Sequence, residues 1–307
     1  MKIKLVNYTP LSVAVVAGRS AWNSFHKGGK YKYTTDNITE TDYNFLNRLF
    51  NKFKHVSVSE HIFYEFEFND YDENDLIEIL SLNDGYFLPT FKGHKLRIVT
   101  NLRWFFENKD KNLDFLINQL PFNHQNLIKG NNYSNKKNLE NGFEYKIAEN
   151  KLGHKVILLY KADNWVNLRI KGISRGLSLE LNRHDDFRAI TQKSSRYTLK
   201  ELRNEKNIIN DNNIDFDIVK KYCVLTNYVM VDTQIAFGLN NLQKLVQQNI
   251  ANDVTKYAMI EAYRTEGVWS FYKRSLDNLL KLRLSKDALW EFQELAKLIQ
   301  EIVNKTI

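Results

Sequence analysis

Apolar periodicity changes along this chain, and that change limits the possible folds more than any other property. From Tyr64 to Phe68, aromatic residues alternate with two glutamates, which predicts a half-buried β-strand. From about residue 215 onward, apolar residues recur mostly at helical spacing instead. Strand signals in the first half followed by helices predict an α+β fold, with a central sheet flanked by helices and a helical C-terminal half.

Further elements follow from the same reasoning. Strands are predicted over residues 2–6, 155–160 and 164–170, and helices over 11–22 and 40–54. The final helix has the clearest pattern, and Ser285 is expected to cap it. Residues 128–151 are rich in Asn, Lys and Gly, which predicts a long surface loop or lid.

Composition restricts the class of protein but leaves its partner open. The 307 residues carry a formal net charge of +8, which suits nucleotides, phosphorylated or polyglutamylated cofactors, or nucleic acid, although a basic solvated surface has the same composition. No run approaches the roughly 20 apolar residues of a membrane span. A single cysteine, Cys223, excludes an internal disulfide and indicates a reducing compartment, so we expect a cytoplasmic protein. The apolar surroundings of Cys223 favour a core thiol over a nucleophile.

The most informative segment is 172–197. It places four arginines, a histidine and several hydroxyl groups within 26 residues. Arginine forks match phosphate oxygens, and serine hydroxyls complete such sites, which favours a phosphate-rich ligand. An exposed basic helix followed by a serine-rich turn is the structural alternative, and composition alone does not separate the two.

The order of the motifs in this segment is recognisable. Gly172-Ile173-Ser174-Arg175 leads into Arg183-His184 and then Ser194-Ser195-Arg196-Tyr197, which resembles the signature of the flavin-dependent thymidylate synthases. Other blocks resemble the family in the same order; they are residues 7–10, 57–61, 256–259, 274–283 and 288–291.

The resemblance implies a thymidylate synthase-complementing-like fold with a mostly antiparallel sheet, in a single domain over 1–307. It implies the conversion of dUMP to dTMP with FAD, NADPH and methylenetetrahydrofolate, in a homotetramer whose shared sites form only in the oligomer. The implied dUMP-binding residues are Glu180, Gln192, Ser194, Arg196, Lys256 and Arg283, of which Ser194 and Arg283 are also the candidate catalytic residues. The implied FAD-binding residues are His61, Arg183, His184, Arg188, Arg274 and Asn278.

This chain departs from the family pattern at two places. Asp185 stands where the family has a third arginine, and the spacing to Ser194 is one residue longer. Arg188 could substitute for the missing arginine in a rebuilt loop; otherwise Asp185 would weaken binding of a flavin phosphate. Residues 69–165 form a family-variable insertion, within which Arg103 could reach a ligand or simply lie at an exposed helix start.

Two other functions fit parts of this sequence. A pyrimidine deoxynucleotide hydroxymethylase would fit the altered loop, and a basic nucleotide- or nucleic-acid-binding homologue would keep the fold without turnover. General phosphate binding does not require these motif spacings, so we do not expect nucleic acid as a partner. Since no apolar run is long enough to span a membrane, we do not expect a membrane as a partner either. The histidines outside the motifs share no ligand spacing, so no metal is expected. No Gly-x-Gly-x-x-Gly follows a strand, and Trp290 and Phe292 are expected to be core aromatics.

Overall fold

The structure is a computed structural model that describes residues 1–82, 85–93, 95–136, 143–184, 188–211 and 213–304. The strands are β1 Lys2–Tyr8, β2 Tyr33–Thr34, β3 Phe63–Asn69, β4 Leu88–Lys92, β5 Lys95–Asn101, β6 Phe143–Glu144, β7 Lys146–Glu149, β8 Lys155–Lys161, β9 Trp165–Ser174, β10 Arg188–Gln192, β11 Ile209–Asn210, β12 Asn213–Ile214 and β13 Arg264–Tyr272. The α-helices are α1 Leu11–Ala21, α2 Glu40–Asn47, α3 Glu73–Ser81, α4 Leu102–Glu107, α5 Asp114–Ile117, α6 Phe122–Lys129, α7 Arg175–Leu181, α8 Ser195–Thr198, α9 Phe216–Tyr222, α10 Val229–Gln247, α11 Asn252–Thr255, α12 Lys273–Arg283 and α13 Trp290–Asn304.

Among the described residues, the strands form two large antiparallel sheets, where a single central sheet was expected, and two further sheets of two strands each, β2-β6 and β11-β12. The N-terminal sheet has the order β1-β3-β5-β4, and the C-terminal sheet has the order β10-β13-β9-β8-β7. Helix α1 packs against β10 and β13, so the N-terminal helix covers the C-terminal sheet. The α+β class is confirmed and β9 overlaps the strand predicted over 164–170, whereas β13 interrupts the mostly helical pattern predicted from about residue 215 onward.

Strand β3 is buried on both faces, so the prediction of a half-buried strand was wrong. Glu65 and Glu67 are 2% and 8% exposed, although they alternate with the aromatic face. The register pairs Glu67 with Arg97 on β5, and the Arg97 guanidinium lies 3.2 Å from Glu65 and 3.0 Å from Glu67. Because β3 lies between β1 and β5, a neighbouring strand neutralises carboxylates that the local pattern placed in solvent.

The last helix begins later than expected. Ser285 accepts a hydrogen bond from the backbone N–H of Asp287 at 3.4 Å within a turn, and α13 begins only at Trp290. The predicted loop over 128–151 was wrong at its end, where β7 pairs with β8. Residues 137–142 of that stretch lie outside the described part of the chain.

The core is divided into three apolar clusters. The first contains α1 and most of the 11–165 region, the second lies between the C-terminal sheet and helices α7, α12 and α13, and the third surrounds α10. Cys223 belongs to the third cluster and is fully buried, and burial raises the pKa of its thiol to about 12. The expectation of a core thiol is thereby confirmed.

Neither a membrane-spanning helix nor a metal-binding group of side chains is found in the described part of the chain. Among the described residues, no helix combines the length and the apolar character needed to cross a membrane. In the same part of the chain, no group of three or more His, Cys, Asp and Glu side chains is arranged to hold a metal ion.

Candidate active site

The site is built around the start of helix α7. The Ser174 hydroxyl caps this helix by accepting from the backbone N–H of Leu177 at 2.9 Å. Glu291 at the start of α13 accepts from the Ser174 backbone N–H at 2.8 Å and from its hydroxyl at 2.6 Å, and the His154 imidazole lies 3.1 Å away. Burial raises the pKa of Glu291, but the hydrogen bonds from His154 and Ser174 outweigh it and leave the pKa below its usual value. Glu291 therefore fixes the direction in which α7 leaves β9.

Arg283, the last residue of α12, joins several predicted site residues. Its Nε donates to His184 Nε2 at 2.6 Å, and its Nη1 lies 3.3 Å from Glu180 Oε2. The guanidinium also sits 4.7 Å from the centre of the Phe292 ring, against which the His184 ring packs edge-on at 5.6 Å. Because an arginine N–H can only donate, this contact uses His184 Nε2 as the acceptor.

Gln192 fixes the end of β10 beside the same helix. Its amide nitrogen donates to the hydroxyls of Ser178 on α7 and Thr265 on β13, both at 3.0 Å. Gln192 is opposite Gly267 in the register, and a Cβ on Gly267 would lie 2.6 Å from the Thr191 carbonyl oxygen. Only glycine permits strands β10 and β13 to approach this closely.

Ser194, Arg196 and Lys256 lie on neighbouring elements. The Ser194 backbone N–H donates to the Ala21 carbonyl at 2.9 Å, which attaches the start of α8 to the end of α1. The Asn252 amide donates to the Arg196 carbonyl at 2.9 Å, so that α8 packs on α11, which Lys256 directly follows. The side chains of Arg196 and Lys256 are exposed.

The predicted cofactor residues are more dispersed. Arg183, Arg274 and Asn278 are exposed, and Arg274 lines a cavity of about 410 Å³ beside edge strand β4. His61, by contrast, is fully buried, and its ring nitrogens lie 2.8 Å from the Ser270 hydroxyl and 2.9 Å from the Thr191 hydroxyl. Burial lowers its pKa to about 3. Asp185 and the side chain of Arg188 lie outside the described residues.

Convergence of site residues only in an oligomer was expected, and for three of them this was wrong. Glu180, His184 and Arg283 meet within one chain, because the last residue of α12 lies beside the end of α7. The structure thus brings the 180–196 stretch and the 256–283 stretch together through Arg283, through the Gln192 amide and through the pairing of β10 with β13.

One family model matches the C-terminal part of the chain. Residues 164–307 match the model described as thymidylate synthase complementing protein. The matched region is slightly less than half of the chain. It contains α7, α8, α12 and α13, so every contact of Arg283 described above lies within the matched region.

Two relatives match a little under half of this chain. A flavin-dependent thymidylate synthase of Wolinella succinogenes is 41% identical over 136 residues, which are 44% of this chain and 65% of that protein. One from Helicobacter pylori is 42% identical over 134 residues, 43% of this chain and 64% of that protein. The match therefore spans slightly less than two thirds of these relatives. A structure of thymidylate synthase X from Helicobacter pylori with FAD and dUMP aligns with 98% of this chain and 92% of its own at 26% identity, with a TM-score of 0.41.

The sequence analysis missed several residues that support the candidate site. Phe292 was assigned to the core, and it is fully buried, but its ring also supports Arg283 and His184. Glu291 was noted only within a matching block, although an acid beside two aromatic residues at a helix start is a signal for a buried acceptor. Nothing in the local sequence of His154 indicated that it would meet Glu291.

Proposed function

We propose that this protein is a flavin-dependent thymidylate synthase, which converts dUMP to dTMP with FAD, NADPH and methylenetetrahydrofolate. The observation that carries the proposal is the junction at Arg283, which contacts His184 and Glu180 from the other half of the motif set. General phosphate binding does not require an arginine held between a histidine and a carboxylate. The identity of 41% over 136 residues to a flavin-dependent thymidylate synthase supports the same activity.

The dUMP site is proposed around α7 and the end of β10. Arg196 and Lys256 supply exposed positive charge for the nucleotide phosphate, since α8 and α11 pack together. Gln192 and Ser194 orient the nucleotide from β10 and its extension, and Glu180 holds Arg283 in place. Arg283 is the proposed catalytic group, because a fixed guanidinium stabilises negative charge that develops on a uracil oxygen.

The FAD site is proposed to use the exposed cations of the second set. Arg183 and Arg274 form no ion pair within the described residues, so both guanidinium groups are available to a diphosphate. Asn278, one turn beyond Arg274 on α12, adds an amide on the same face. Bound reduced flavin would supply the hydride, and the protein supplies position and charge.

His61 fits a different role from the one expected. Its side chain has no exposed surface, and both ring nitrogens contact hydroxyls on β10 and β13. The Asn167 amide also donates to the His61 carbonyl at 3.0 Å. We propose His61 as a positioning residue that ties the start of β3 to the C-terminal sheet, which carries Gln192.

The proposed assembly is a homotetramer. Apolar residues at the start of α10 are strongly exposed, with Tyr228, Val229 and Met230 at 74%, 79% and 84%. A contiguous apolar patch of this kind is typical of an interface between protein subunits. A second copy of the chain at this patch would also bring its own charged residues towards Lys256, which lies near α10 through α11.

Two measurements test the activity together. Purified protein is expected to show a flavin absorbance spectrum that bleaches with NADPH and shifts on addition of dUMP. Incubation with dUMP and methylenetetrahydrofolate should give dTMP, and mass spectrometry separates a methyl from a hydroxymethyl product. Protein that neither takes up FAD nor binds dUMP would refute the proposal.

A further inference from the structure

The two large sheets repeat one arrangement of strands and helices. In the N-terminal unit, defined as residues 1–129, the strand order is β1-β3-β5-β4. In the C-terminal unit, defined as residues 155–304, the matching order is β8-β9-β13-β10, with β7 added beyond β8. Neighbouring strands are antiparallel throughout. Helix α3 joins β3 to β4 as α7 joins β9 to β10, and α4 directly follows β5 as α12 directly follows β13.

The register of the strands matches as well. In the N-terminal unit, Phe63 pairs with Asn101, the last residue of β5, and α4 begins at the next residue. In the C-terminal unit, Trp165 pairs with Tyr272, the last residue of β13, and α12 begins at the next residue. The first strand of each unit shifts register between the partners of the second and third residues after Phe63 or Trp165. The two units therefore have equivalent positions, although β3 and β9 share no identical residue in this alignment.

The two units pack against each other through equivalent positions. The rings of Phe63 and Trp165, which are equivalent residues, lie 5.8 Å apart. Glu65 accepts from the amide of Asn164, which directly precedes β9, at 2.9 Å. Its counterpart Asn167 donates in turn to a backbone carbonyl shortly before β3, at 3.0 Å. A contact between equivalent residues, flanked by reciprocal contacts, is the pattern of an interface around a twofold axis, so the chain resembles a dimer of two units.

Each unit has one long segment where the other unit has a short connection. Between its first two strands the N-terminal unit carries residues 9–62, with α1 and α2, whereas residues 162–164 join β8 to β9. Between its last two strands the C-terminal unit carries residues 193–263, with α8 to α11, whereas β4 ends at Lys92 and β5 begins at Lys95. The two long segments therefore complement each other.

These two long segments meet at the proposed dUMP site. The backbone N–H of Ser194, near the start of the C-terminal segment, donates to the Ala21 carbonyl at the end of α1, at 2.9 Å. Beside this contact, the Asn23 amide donates to Glu201 at 2.9 Å. Since each long segment occurs once in the described chain, the two units supply the parts of one such junction.

One pair of equivalent arginines differs between the units. Arg274 is the second residue of α12, and the second residue of α4 is Arg103. Arg274 is exposed and forms no ion pair within the described residues. Arg103, by contrast, is paired with both Glu60 and Glu107. Because two carboxylates of its own unit neutralise it, Arg103 does not offer a diphosphate the open guanidinium that Arg274 offers.

We propose that the N-terminal unit is a built-in partner of the C-terminal unit: the chain carries the two units of a dimer, and one long segment from each builds a single composite nucleotide site. This rests on the proposed function, because it states which parts of the chain form that site. The sharing of site residues that was expected between subunits would then occur, for α1 and Ser194, within one chain.

Cross-linking tests whether the two long segments pair within one chain. Lys27 and Lys200 belong to different long segments, are exposed and line one cavity of about 630 Å³. Cys223 is buried and does not compete for a thiol reagent. A flexible bismaleimide should link the variant Lys27→Cys/Lys200→Cys into a product that migrates as one chain in a denaturing gel.

The matched control uses the two substitutions on separate chains. Co-expressed Lys27→Cys and Lys200→Cys chains should give no linked product, because the two thiols never share a chain. A product of two-chain mass from this mixture would place the N-terminal unit on a neighbouring chain and overturn the proposal.

Ligand titration tests whether the chain forms a single site. We expect one FAD and one dUMP per chain, and the linked double variant should bind both within about twofold of the unlinked affinity. Arg103→Gln should also leave FAD affinity within about twofold, because Arg103 is already paired. Two flavins per chain, or a loss of about tenfold in Arg103→Gln, would give the N-terminal unit a site of its own and overturn the proposal.

Failure of the proposal is separable from failure of the proposed function. If the protein takes up no flavin and makes no dTMP, the proposed function fails, while the cross-linking, which needs no ligand, still decides how the units pair. In a protein that does bind flavin, loss of FAD and dUMP binding after linking within one chain would show that the site uses a segment of another chain, and would overturn the built-in partner alone.

Discussion

Replacing Glu291 with alanine should destabilise the protein far more than its position at a helix start suggests. Glu291 is 4% exposed and accepts from the Ser174 backbone N–H and hydroxyl, with His154 at 3.1 Å. Glu291→Ala leaves the Ser174 N–H and the Ser174 hydroxyl as buried donors without their acceptor. A stranded buried donor costs about 1–2 kcal/mol, so we expect the free energy of unfolding to fall by about 3 kcal/mol.

The effect has a defined pH dependence. The folded-state pKa of Glu291 lies below its ordinary value of 4.5, so the carboxylate contributes stability above that pH. This stabilisation is lost as the pH falls through the folded-state pKa of Glu291. The protonated carboxyl group is neutral and no longer accepts from the Ser174 N–H and hydroxyl as an anion. Glu291→Gln should remove this acid-side loss while costing less at neutral pH, since its carbonyl oxygen still accepts one hydrogen bond.

Urea unfolding at fixed protein concentration, followed by tryptophan fluorescence, measures the change. Glu294→Ala on the same helix is the matched control, because Glu294 is partly exposed and its ion pair within the described residues is with exposed Lys297, so its loss should stay within about 0.5 kcal/mol. A Glu291→Ala protein less than about 1 kcal/mol below wild type, or one with the wild-type loss of stability in acid, would refute the account of the α7 anchor.

The remaining predictions concern ligands and assembly. Arg283→Gln should lower kcat for dTMP formation by about 100- to 1,000-fold with flavin still bound, because it removes charge at the reacting base; equal activity would exclude the catalytic role. Arg274→Gln should weaken FAD binding about tenfold in a flavin titration, whereas Lys273→Gln, the adjacent residue paired with Asp277, should not. Met230→Asp should reduce the mass measured by light scattering, since a charge would enter the apolar patch of α10; an unchanged mass would place the interface elsewhere.

The local sequence pattern predicted the positions of the strands and helices better than it predicted the burial of their residues and their end points. Strand β3 was found where the alternation placed it, yet the burial of Glu65 depends on Arg97, which belongs to a strand about thirty residues away. Similarly, Ser285 has the residue type of a helix cap, but the chain makes a turn there first. Pairing between distant segments determines the burial of Glu65, and the periodicity of the local sequence carries no information about such pairing.

The motifs predicted which residues form the site, but they did not predict the contacts that hold those residues in place. The motif order selected Arg283, His184 and Glu180, and the structure joins all three. No sequence rule gave the contact of His154 with Glu291, which depends on how α13 packs on β8, or the burial of His61, which depends on how the start of β3 packs on β10 and β13.

The 69–165 insertion is better described as part of the N-terminal sheet than as an appendage. Its strand β5 supplies Arg97 to Glu65 on β3, and its helix α4 supplies Arg103, which forms ion pairs with Glu60 and Glu107. Burial raises the pKa of Glu60, and Arg103 opposes that rise. Glu60 directly precedes His61, which contacts β10 and β13 beneath the proposed site. Without residues 69–165, Glu60 and Glu65 would lose their arginines at the point where the two sheets meet, and each carboxylate would be left without its charged partner.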